Sequence, residues 1–86
     1  MKHATTQALD RIEDLLQELR RLPDLRERSR GVFYRAGKAF LHFHEDPKGL
    51  FADVRGADEW ERFCVDGHNQ QALFLKRTSA LLNPLE

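Results

Sequence analysis

Two histidines and an aspartate are the residues of this chain best placed for chemistry. His42 and His44 flank Phe43, and a strand through them puts both imidazoles on one face, about 7 Å apart by strand rise alone. The run that follows, Glu45-Asp46-Pro47-Lys48-Gly49, has turn chemistry throughout. Proline fixes φ, aspartate bonds its neighbouring backbone, and glycine tolerates a left-handed position. A register pairing His42 with Asp53 across the hairpin would add a carboxylate as the third ligand. Two imidazoles and a carboxylate suit zinc, copper, iron or nickel and leave coordination positions open. A divalent metal on His42, His44 and Asp53 is therefore one expectation, with Glu45 or Asp46 as a substitute carboxylate. The structural alternative is that Asp53 pairs with His42 or Arg35 on an ordinary polar face.

The elements that must position these residues can be read from periodicity. Ala8, Leu9, Ile12, Leu15, Leu16, Leu19 and Leu22 fall at three- and four-residue spacing, which predicts an amphipathic helix over 5–22. Thr5 or Thr6 would cap it and Pro23 would end it. The arginine-rich segment 24–30 serves as a connection. A strand over 31–36 turns at Ala36-Gly37, where glycine supplies positive φ, and returns over 38–44. A third strand covers 50–55, and Gly56-Ala57-Asp58 turns again. Residues 60–65 read as a fourth strand, with a helix opened by Asp58 as the competing parse. A final helix over 69–82 would present Ala72, Leu75, Ser79 and Leu82 on one face, with His68 at its cap and Pro84 as its stop. The fold class is α+β: an antiparallel β-meander of about four strands between terminal helices, in the order α-β-β-β-β-α.

Alternation divides the side chains of the first three strands between two faces. Val32, Tyr34, Ala39, Leu41, Phe43, Leu50, Ala52 and Val54 make one face almost purely apolar, the expected core. The other carries Phe33, Arg35, Phe40, His42, His44, Phe51, Asp53 and Arg55. Three phenylalanines beside five ionisable groups suit neither solvent nor core, and such a face meets a ligand, a second subunit or a partial cover. The leading expectation is a small binding or interaction module that self-associates, as a homodimer, through this face. The phenylalanines would supply apolar contact, His42, His44 and Asp53 polar or metal contacts, and Arg35 and Arg55 sites for anionic groups. Burial between copies would add stability that a small core lacks. The alternative is a metal-dependent enzyme or sensor on the same residues. A third reading takes Phe33, Phe40 and Phe51 as a stacking platform for single-stranded nucleic acid.

Composition narrows these choices. At 86 residues and 41% hydrophobic, the chain makes one small domain over 1–86. Fourteen basic and fourteen acidic residues balance, so the whole-molecule basic field of a nucleic-acid binder is missing. The signs still segregate: seven basic residues face two acidic ones between Arg20 and Lys38, and seven acidic face three basic between Glu45 and Asp66. Cys64 is the single cysteine, expected as an inert core residue, and it excludes a disulfide framework and a Cys-x-x-Cys zinc site. With no signal-peptide pattern and no run of about 20 apolar residues, a cytoplasmic location without membrane attachment is expected. Nucleophile motifs and phosphate-cradling glycine loops are missing. Trp60 is expected as a core or interface anchor, His3 in a mobile terminus, and Leu85-Glu86 as a cloning remnant.

The run from Phe33 to Arg55, centred on Phe40-Leu41-His42-Phe43-His44-Glu45-Asp46-Pro47, resembles small bacterial proteins of unknown function, some carrying a "luciferase domain" label. The resemblance covers about a quarter of the chain strongly. It is also distantly similar to small α+β proteins of the YjbR type, where a strand hairpin follows an N-terminal helix. The label implies no light chemistry, and the DNA-binding role suggested for YjbR-like proteins rests on fold analogy. The resemblance implies that His42, His44, Glu45, Asp46 and Asp53 form a motif, and it supplies no activity.

Overall fold

The computed structural model describes residues 2–83. Pro84 and the Leu85-Glu86 pair, read above as a helix stop and a cloning remnant, lie outside the described residues. The elements run β1 (Lys2–His3), α1 (Thr6–Arg11), α2 (Glu13–Arg20), β2 (Arg26–Ser29), β3 (Val32–Arg35), β4 (Lys38–Asp46), β5 (Gly49–Arg55), β6 (Trp60–Cys64) and α3 (His68–Leu82). All strand pairs are antiparallel, ordered β2-β3-β4-β5-β6, and β1 pairs with the end of β4. The fold is α+β, a meander with helices before and after it, and one strand longer on its main path than expected.

The N-terminal helix forms where its apolar spacing placed it, in two pieces. Thr5 caps the first, its hydroxyl accepting from the Ala8 N–H at 3.2 Å. Ile12 leaves helical geometry at φ −118°, ψ 23°, which separates α1 from α2. Both pieces bury the expected stripe: Ala8, Leu9, Ile12, Leu15, Leu16 and Leu19. The segment read as a connection is instead the edge strand β2. Its Arg-Glu-Arg-Ser composition lacks strand formers, and its charges discourage further pairing at that edge. Residues 60–64 are a strand, as expected.

One irregularity redistributes the first hairpin. Arg35 pairs with Lys38 and Tyr34 with Ala39, as a two-residue Ala36-Gly37 turn dictates, and both turn residues have positive φ. The register then shifts, so that Phe33 pairs with Leu41 and Phe40 is the extra residue of a bulge. Phe33, Phe40 and Leu41 are all buried in the core (1%, 2% and 0% exposed), while Val32 and Tyr34 are only partly buried. Simple alternation had Phe33 and Phe40 on the mixed face. The bulge overturns that, because two residues opposing one break the period of two.

A single apolar cluster joins α1, α2 and α3 to one face of the sheet, including Phe43, Leu50, Ala52, Val54 and Val65. In α3 the buried positions are Phe74, Thr78 and Leu82, so the helix is rotated from its expected face and Ala72 is exposed. Phe74 packs against Phe43 and Phe63 at centroid distances of 6.2 and 5.5 Å. Among the described residues no helix covers the opposite face of the sheet. The site lies there.

Candidate metal centre

The long hairpin β4–β5 builds the site. Its register sets His42 opposite Asp53, one of the pairings weighed from the sequence, and His44 opposite Phe51. Gly49 closes the turn at φ +142°, and a Cβ there would strike the Asp66 carboxylate, which accepts from the Leu50 N–H. Neighbouring β6 adds Arg62 opposite Asp53 and Cys64 opposite Phe51. The mixed face therefore keeps His42, His44, Phe51, Asp53 and Arg55 and gains Trp60 and Arg62.

His42, His44 and Asp53 each present a donor atom, and all three atoms lie within 4.8 Å of one another. Asp53 is buried, 6% exposed, with both carboxylate oxygens engaged. Arg62 forks onto it, Nε to Oδ1 at 2.7 Å and Nη2 to Oδ2 at 3.0 Å, and His44 Nε2 lies 3.0 Å from Oδ2. Both His42 Nδ1 and His44 Nδ1 are shielded from solvent without a hydrogen-bond partner. Unpaired buried polar atoms are costly, and two in one cluster mark a place built for something other than packing.

Electrostatics favour the forms a cation would need. Burial, and then the neighbouring His44, hold the His42 imidazole below its ordinary value, so it is neutral and able to donate its lone pair at neutral pH. Burial pushes the Asp53 carboxyl up, but the Arg62 hydrogen bonds and charge outweigh it, and the group lies below its ordinary value as an anion.

Three residues join the site without having been read as part of it. His3, expected in a mobile terminus, sits on β1 opposite His44, its ring centroid 5.5 Å from His44 and 6.1 Å from His42. Trp60, expected in a core or interface, is 38% exposed, with its ring 5.0 Å from His42 and the Arg55 guanidinium 4.6 Å above it. Arg62 had no assigned role. Other expected members fall elsewhere. Phe33 and Phe40 are core residues. Arg35 reaches the helix-covered side, donating to the Leu81 carbonyl at 3.2 Å. Arg55 does stay on this face, over the Trp60 ring, while its Nε donates to the Ala39 carbonyl at 2.8 Å. Glu45 Oε1 accepts from the Thr5 N–H at 2.6 Å, and Asp46 Oδ1 caps its own turn through the Lys48 N–H. Cys64 is half-buried rather than a core residue, its Sγ 3.4 Å from Asp66 Oδ2 and from Gln70 Oε1.

Among the described residues no helix is long and apolar enough to cross a membrane. Comparison with protein-family models, with curated proteins and with solved structures found no match, so the functional reading rests on the geometry of this site.

Proposed function

We propose that this chain is a metal-binding module whose divalent transition-metal ion is held by His42 and His44, with Asp53 as the carboxylate of the set. The observation that carries this reading is a cluster of two imidazoles and a buried carboxylate whose donor atoms lie within 4.8 Å of one another, each imidazole also holding a buried, unpartnered Nδ1. Donors about 2.0–2.2 Å from a tetrahedral zinc lie about 3.3–3.6 Å apart, so the cluster has to contract by about an ångström on loading. Two nitrogens and one carboxylate leave coordination open toward the uncovered side, where His3 and Trp60 stand.

Titration with zinc or cobalt(II) of untagged protein tests this. One ion should bind per chain, and His42→Ala and His44→Ala should each abolish binding. His68→Ala, on the exposed first residue of α3, should leave it unchanged. Equal affinity in all three variants would refute the assignment.

Self-association through the same face is the second reading, favoured by a sheet face that no helix covers. Its apolar contribution shrinks to Phe51 and Trp60 once Phe33 and Phe40 are in the core. Trp60→Asp should then turn a dimer into a monomer in sedimentation velocity, and an unchanged mass would reject this interface. The nucleic-acid reading loses two of its three stacking rings to the core.

A further inference from the structure

The lower end of the molecule carries a cleft that the site above does not use. It opens between the end of α3, the β3–β4 hairpin and the turn after β5, with a volume of about 690 Å³. That size falls in the range of small-molecule pockets. It exists because Ala39, Ala57 and Ala80 line it where larger side chains would fill it, and half-buried Leu81, with the edge of buried Phe40 beneath, gives it an apolar floor.

The charges around this floor have one sign. Among the described residues, Arg35, Lys38, Arg55 and Arg77 line the cleft, and no acidic residue does. Arg77 is neutralised by a two-point pair with Glu61. Arg35 and Arg55 each donate to a backbone carbonyl, to Leu81 and Ala39, which fixes their guanidinium groups without cancelling their charge. Each keeps further N–H donors free for a ligand. Lys38 is exposed on the hairpin beside them. In a protein of zero net charge, three uncompensated cations around an apolar floor form a local positive field over a low-dielectric surface.

We infer that this cleft binds a small amphipathic carboxylate, its head group between Arg35, Lys38 and Arg55 and its apolar body on Phe40 and Leu81. Guanidinium forks match a carboxylate bidentately, and the alanine walls leave room for a single chain or ring. The inference does not rest on the metal site.

Decanoate is the probe, followed by calorimetry and by the fluorescence of Trp60, which Arg55 links to the cleft. Decanoate should bind once per chain with saturation below about 1 mM. Decanol, with the same body and no charge, should bind at least about tenfold more weakly, the loss expected for one charge-assisted bond. Lys38→Glu should weaken decanoate by a similar factor, and Ala80→Trp should block it by filling the cleft. Both positions are exposed, so neither variant threatens the fold. Equal binding of decanol, no decanoate binding, or affinity untouched by both substitutions would each overturn the inference.

Discussion

The chemistry of the site depends on which atoms of three residues carry protons. His42 sits below its ordinary 6.5 because burial disfavours the imidazolium. A depressed histidine contributes stability that is complete above pH 6.5 and is lost as pH falls through the lower folded value, because the unfolded chain takes up the proton first. Urea denaturation should therefore show less stability at pH 5.5 than at pH 7.5, and His42→Ala should remove part of that slope. A slope unchanged in the variant would place the titration elsewhere. Asp53→Asn removes the anion that holds both Arg62 and His44, and should cost about 1–3 kcal/mol, the usual penalty for unpairing buried polar groups. It should also weaken zinc by more than the roughly 10–100-fold typical of losing an outer-shell partner, because it removes one of the three ligands. His42, His44 and Asp53 were legible in the sequence because strand alternation sets the histidines on one face and the tight turn after Asp46 leaves few registers. His3 was not, since a two-residue strand pairs across 41 positions by a contact no local pattern encodes.

At the level of elements, the bulge at Phe40 decides which aromatics are structural. Phe40→Ala should cost about 3–5 kcal/mol, as truncation of a buried phenylalanine does. Phe51→Ala, on the uncovered face and half-buried, should cost clearly less in the same denaturation experiment. Equal costs would contradict the register shift. The hairpins were readable from Ala36-Gly37 and Asp46-Pro47-Lys48-Gly49, whose turn chemistry fixes where strands begin and end. The bulge was not, because either register of β3 buries an apolar residue. β2 escaped notice for a different reason: its pairing comes from β3 and not from its own side chains. A second glycine-dependent point is Gly49, where Gly49→Ala should destabilise by more than about 1 kcal/mol because the backbone lies at positive φ and the Asp66 carboxylate occupies the space.

Across the whole molecule, part of the basic excess between Arg20 and Lys38 is answered where it stands. Arg20 bridges Glu13 and Glu27, and Arg30 bridges Asp10 and Glu13, tying the two N-terminal helices to the start of the sheet. Hydrogen bonds from Arg30 and then Arg20 draw the Glu13 carboxyl down to about 2. These pairs are exposed and serve orientation more than stability. A small domain with one sheet face uncovered has little core to spare, so a ligand that binds only the folded state should be conspicuous. Zinc at a hundred times its dissociation constant should add about 2.7 kcal/mol to the wild-type protein, and nothing to the His42→Ala/His44→Ala variant. The most direct test is elemental analysis of untagged, natively purified protein beside that double variant, both after zinc exposure and desalting. One retained ion per chain in the wild type, and background in the variant, is the expected result. Background in both, with the wild type folded, would contradict the metal centre.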